Sequence, residues 1–210
     1  MSLHELIQHV REMLADTVTP VEWTDQSLTR WFNDAERRFA AETWCFLEAD
    51  TDMSTLALVP GQVTYNLDAR VIAVLSAHDA HGRELRGQFT PSARSAWAGR
   101  PAFFKVFPGS KRLAVHPTPE AAEPLHLTVV RHPRAPLAEL TDQPEIPEAY
   151  QLLLCDWVAS QALRGIDADT EDMRRSDWYL EAWKRGLLEA GRAFTQAATP
   201  TRRVIVRSKA

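Results

Sequence analysis

The sequence predicts an α+β fold: a helical bundle made from N- and C-terminal helices, an inserted antiparallel β module, and an extended C-terminal tail. Three observations lead there. Apolar residues recur at helical spacing before residue 48 and again after residue 145. Between those limits the spacing falls to two, and the connections are too short for parallel crossovers. After a Thr199-Pro200 break the chain becomes strand-like and cationic. The expected division is a bundle of residues 1–48 and 145–197, a β module of residues 50–140, and a basic tail of residues 198–210.

The elements follow in order. Leu3, Leu6, Ile7, Val10 and Leu14 repeat as one helical face, which "TVTP" breaks. In "WTDQSLTRWFNDAERRFAAETW" Thr24 fits an N-cap, and Asp25 puts negative charge at the positive end of the helix dipole. Trp23 and Leu28 fit a hydrophobic staple, and Leu28, Trp31, Phe32, Ala35 and Phe39 form the apolar face. "STLALVPGQVTYNL" alternates around Pro60-Gly61 and predicts a hairpin. "RVIAVLSA" predicts a strand, and "TPSARSAW" a short helix with Pro91 at its first position. "PAFFKVFPGSKRLAVHP" reads as strand, Pro108-Gly109 turn, strand, and "PLHLTVVRH" as one more strand. "PRAPLAELTDQPEIPE" is a proline-rich connector. Helix resumes at Pro147, with Tyr150, Leu153, Leu154, Trp157 and Val158 on one face, and stops at Gly165. The last helix runs from about Asp169 to Thr195. Its Met173, Leu180, Leu187 and Phe194 recur every seven residues, with Trp183 and Ala190 between them, a period suited to a neighbouring helix at a shallow angle.

Composition sets outer limits. The chain has 210 residues, 45% hydrophobic and 25% charged, the balance of an ordinary globular protein. It contains no run of eighteen apolar residues, so no membrane partner is expected. "MSLHELIQHVREML" lacks a basic n-region and does not read as a secretory signal. Cys45 and Cys155 form no CxxC pair, which fits reduced core thiols in a protein made in the cytosol. A net charge of −4 argues against the whole chain as a nucleic-acid binder.

His116, His126 and His132 fall within one short stretch and invite a metal reading. Strand alternation opposes it. Leu113 and Val115 share the core face of one strand, and Leu125, Leu127 and Val129 that of another, so the histidines are expected to face outward. His126 and His132 are six residues apart, about 20 Å on an extended chain, too far for one ion. His116 and His126 could neighbour each other if residues 117–124 form a hairpin loop, with Glu120 or Glu123 as a third ligand, although prolines stiffen that loop. No metal site, catalytic residue or cofactor is expected. The G-x-S-x-G, GxxxxGK[ST], GxGxxG and HExxH motifs are all absent. "DADTED" (167–172) reads as an acidic helix N-terminal turn, and Asp34 with Arg38 as an i,i+4 surface ion pair.

Seven tryptophans and the tail remain. Trp178, Tyr179 and Trp183 cannot all point inward, because positions 178 and 179 diverge by about 100°. They are the candidates for a subunit interface. The segment Arg202, Arg203, Val204, Ile205, Val206 and Arg207 suits β-augmentation of a partner, with the arginines pinning it. DNA contact through Arg202, Arg203 and Arg207 is the weaker use, since no aromatic residue interleaves with the cations.

Four stretches, "WTDQSLTRWFNDAERRFAAET", "VPGQVTYNLD", "GRPAFFKVFPGSKRLAVHPTPEAAEPLHLTVVRHPRAPL" and "EIPEAYQLLLCDWVASQAL" with "SDWYLEAWKRGL", follow one another in an order that resembles a known family. It is that of the head-to-tail adaptor proteins of tailed phages, in particular the podovirus tail tubular protein A type. The resemblance spans most of residues 20–190. It implies a virion structural protein at the head-tail junction, assembled in the host cytoplasm. The implied assembly is an oligomeric ring of twelve copies, docked to the portal protein and to a tail tube or nozzle protein. Genomic DNA would pass through its central channel. The rivals are another head- or tail-completion ring, a metal-dependent hydrolase using His116, His126 and nearby acids, and a DNA-binding module acting through the tail.

Overall fold

The computed structural model describes residues 1–87, 98–107, 109–164 and 170–198, with side chains of the last helix described to Thr195. The short helix expected at Pro91, the Gly165 stop and the tail from 199 lie outside the described residues. The chain divides into two units. One comprises residues 1–45 and the chain from 137 onward; the other is Phe46–Pro136.

The first unit is helical. Helix α1 (Leu3–Leu14) opens with a reciprocal cap: Ser2 Oγ accepts from Glu5 N while Glu5 Oε2 accepts from Ser2 N. Leu3, Leu6, Ile7, Val10 and Leu14 are buried, as their spacing demands. Helix α2 (Asp25–Thr43) starts on the Thr24 cap, whose hydroxyl accepts from Ser27 N. Leu28, Phe32, Ala35 and Phe39 are buried, while Trp31 is half-buried at the edge of that face.

A 3-10 turn (Glu148–Tyr150) leads into helix α3 (Gln151–Ala162), and helix α4 spans Thr170–Ala198. Pro147 caps the 3-10 turn instead of opening the helix. Its fixed φ suits either place, but its ψ of 139° is extended, so the helix starts after it. Helix α3 packs on α1, α2 and α4, and it is buried through Leu154, Cys155, Val158 and Ala159 rather than through the half-buried Leu153 and Trp157. A helix with neighbours on several sides has no need of a single apolar stripe. At Gly186 of α4 an added Cβ would lie 2.4 Å from Leu153 Cδ1, so glycine lets α3 and α4 approach closely. Of the expected face of α4, Trp183 and Ala190 are buried, in line with Ser176 seven residues before; Met173 is exposed, and Leu180 and Leu187 are half-buried.

The connector is bound to these helices, not free. Asn33 clamps Leu137 in both directions, donating Nδ2 to its carbonyl at 2.9 Å and accepting from its N–H at 2.7 Å. The Leu3 and His4 N–H groups donate to Asp142 O and Leu140 O. The fully covered Glu36 accepts from Glu145 N at 2.5 Å.

The second unit holds two antiparallel sheets. Strands β1 (Leu47–Glu48), β2 (Thr55–Ala57), β3 (Thr64–Asn66), β4 (Val71–Asp79), β5 (Phe103–Phe107), β6 (Arg112–His116) and β7 (Pro124–Arg131) follow in order. In one sheet β7 is central, with β4 on one side and β1 and β2 on the other; in the other sheet β6 lies between β3 and β5. Leu58, Tyr65, Leu113 and Val115 join Leu125, Leu127 and Val129 in one core cluster.

Two expectations need correction. The Pro60-Gly61 segment turns the chain but does not make a hairpin, because β2 pairs with β7 and β3 pairs with β6. Alternation marks a strand without naming its partner. Here Gly61 N donates to Pro119 O, and the Tyr65 hydroxyl donates to Gln62 O, so the turn is tied elsewhere. Likewise β6 and β7 belong to different sheets, so residues 117–124 are not a hairpin loop.

Candidate functional site

The histidines are not brought together. His116 is buried, not outward-facing as alternation implied, because β6 is a middle strand covered on both faces. It pairs with Phe103 of β5. His126, partly exposed, lies opposite His78 of β4, with Nδ1 4.0 Å from Asp50 Oδ1. His132 lies past the end of β7, its N–H donating to Arg70 O. No group of three His, Cys, Asp or Glu suited to a metal occurs among the described residues.

The buried charges have structural partners. Glu48 and Arg131 pair at 2.5 Å, both covered, and Arg134 adds a second contact at 2.9 Å. The hydrogen bond from Arg131 holds Glu48 below the usual carboxylate range. Asp34 and Arg38 form the expected surface pair at 2.8 Å. Burial pushes the free thiols of Cys45 and Cys155 up to about 11 and about 12, far from a reactive thiolate. No described helix is long and apolar enough to cross a membrane.

What the helical unit does offer is unmatched surface. Trp183 is buried in its own unit, 5.8 Å from Trp157 and 6.4 Å from Phe39, and so is spoken for. Tyr179 is half-buried and donates its hydroxyl to Met13 O at 3.3 Å. Trp178 stands 61% exposed beside it, rings 4.9 Å apart. Of the three interface candidates, Trp178 alone is largely open to solvent.

Sequence reasoning missed a larger feature. An open groove of about 970 Å³ runs between α2, α3 and α4. Trp157, Leu180, Trp183 and Leu187 line it, and Trp44 and Leu188 stand at 49% and 57% exposure. The rim carries Arg38, Lys184 and Arg192 against Glu42. Arg38 lies 4.4 Å over the Trp157 ring, a cation–π contact. Trp44 closes α2 in the left-handed region, φ 57° and ψ 34°. Glycine takes that position freely, whereas a bulky side chain there costs roughly 1–2 kcal/mol. The chain accepts this strain and still leaves the indole half in water. Periodicity did flag Leu180 and Leu187, but as residues facing a neighbouring helix; among the described residues no helix of this unit fills the space above them.

A second exposed apolar feature caps the other end of α2. The loop after α1 exposes Val18 to 76% and Val21 to 41%. A buried arginine holds this loop in shape: Arg11 contacts Asp16 at 2.5 Å, Trp23 O at 2.8 Å and Asp25 at 2.6 Å. Asp16 in turn accepts from Glu22 N at 2.8 Å.

A family model described as SU10 adaptor protein matches residues 1–207. No curated protein matches the chain.

Proposed function

The chain belongs to the SU10 adaptor protein family and is a phage adaptor, a component of the virion, and from that premise we propose that it forms a closed oligomeric ring of twelve copies between portal and tail. The helical unit supplies the contacts between copies, and the β unit meets the tail tube or nozzle protein. Genomic DNA passes through the central channel. Assembly takes place in the host cytoplasm, and no catalytic step is part of the role.

The observation that supports this reading most is the unmatched apolar surface of the helical unit. A ring built head to tail needs two different patches on each subunit. An apolar groove at one end of α2 and an exposed valine loop at the other are two such patches. The exposed Trp178 adds a third aromatic surface of the kind enriched at interfaces. Each copy brings a net charge of −4, so the ring lacks the excess of cations that would hold DNA phosphates and slow their passage.

In this reading the segment from Arg202 to Arg207 adds a strand to the portal or to an adjacent copy. Main-chain hydrogen bonds would give the attachment, and Arg202, Arg203 and Arg207 would select an acidic partner. A chain ending at Pro200 is expected to lose attachment to portal in a pull-down. Attachment equal to that of the full chain would remove the tail from the proposal.

A further inference from the structure

We propose that the groove between α2, α3 and α4 receives the Val18–Val21 loop of a second copy of this chain. The inference rests on the ring reading above and names the contact that would build it.

Three observations carry it. First, the groove and the loop match in chemistry. The groove offers an indole- and leucine-lined floor with Arg192, Glu42, and the exposed ion-paired Arg38 and Lys184 around it. The loop offers two exposed valines, with Glu22 exposed beside them and Asp25 already paired with Arg11. Apolar side chains at the centre and opposite charges at the margin are the arrangement of a specific interface.

Second, both partners are held ready. Arg11 and Asp16 tie the loop down through a covered ion pair, yet leave its valines in water. Trp44 is held at a left-handed position at the groove. Order already present in the free subunit lowers the cost of association.

Third, the loop and the groove are two separate patches. The loop precedes Asp25 and the groove surrounds Thr43, so the two sit at opposite ends of α2, about 27 Å apart along the helix. Unless two copies exchange loops reciprocally and stop at a dimer, a copy that inserts its loop leaves its own groove open for the next. That is a head-to-tail contact, which propagates and can close.

The chain's own tail is the rival occupant, and its charge has the sign of most of the rim. Residues 199–210 carry four cations and no acid, and the groove rim is already cationic. Charge therefore favours the loop, through Glu22, over the basic tail.

Val18→Asp and Leu188→Asp test the contact. Both side chains are exposed, so each variant should keep the wild-type circular dichroism and melting temperature. By sedimentation, each alone should associate ~30-fold or more weakly than wild type, the loss typical of a central interface residue. Mixed at equal amounts they should form a dimer and nothing larger. The Leu188→Asp copy still has a loop, the Val18→Asp copy still has a groove, and only one contact can form. A wild-type chain that stays monomeric to millimolar concentration, a variant that associates like wild type, or a mixture that stays monomeric would each overturn the proposal. If wild-type rings form and neither substitution weakens them, this contact is wrong and the ring stands. If the mixture dimerises but the virion holds no ring, the contact stands and the ring reading falls.

Discussion

Replacing Phe39 by alanine should lower the unfolding free energy by about 3–5 kcal/mol. Phe39 is fully buried and its ring meets three others: Tyr150 at 5.6 Å, Trp183 at 6.4 Å and, edge-on, Phe194 at 6.4 Å. Those partners come from the 3-10 turn and from two well-separated places on α4. One side chain on α2 thus joins three segments of the helical unit. Truncation removes the transfer free energy of the ring, leaves a cavity and breaks the aromatic contacts together. Its neighbours belong to different elements and cannot all collapse inward, which favours the upper part of the range. Denaturant unfolding followed by tryptophan fluorescence measures the change, and a loss below about 1 kcal/mol would contradict the packing described.

The second large effect is a fall in stability with rising pH. Burial pushes the Glu36 carboxyl from 4.5 up to about 7, against the hydrogen bonds from the N–H groups of Glu145 and Ile146, which favour its charged form. The Glu145 carboxylate, on the connector packed against Glu36, pushes in the same direction as burial. Below about pH 4.5 the group is protonated in both states and costs nothing. Between about 4.5 and about 7 the unfolded chain has released the proton and the folded chain has kept it, so stability falls as pH rises. The whole loss is at most about 3 kcal/mol and is complete above pH 7. Asp156, raised to about 6 mainly by burial, adds a smaller change of the same sign. Glu36→Gln keeps an acceptor oxygen and removes the titration. Unfolding free energies at pH 5 and pH 8 should therefore differ less in the variant than in the wild type, by about 2 kcal/mol or more. Parallel pH dependences would show that Glu36 does not carry the effect.

How much of this was legible depends on whether the signal was local. The caps at Thr24 and the faces of α1 and α2 follow from spacing alone, and the structure keeps them. Strands β4 to β7 stand where period-two runs predicted them. What spacing cannot give is which strand meets which. The Pro60-Gly61 turn looked like a hairpin because both flanks alternate, yet each flank belongs to a different sheet. His116 looked exposed because alternation assumes one wet face, and on β6 that face is open only at Arg112. The α4 stripe was right only in part, for a related reason. Leu180 and Leu187 have the right period for a neighbouring helix, but α3 packs at Gly186 and the buried line is that of Trp183 and Ala190. The leucines are left at the groove. Only the assembled helices show the groove itself, although the unplaced apolar residues on α4 were its trace in the sequence.

The ring is the claim on which the rest depends, and a reconstruction of the intact particle tests it most directly. The account predicts density for this chain between portal and tail, in a closed ring of copies around the DNA, with the loop near Val18 of one copy against the groove at Leu188 of the next. Density for the chain away from that junction, or in isolated copies that do not encircle the DNA, would contradict it.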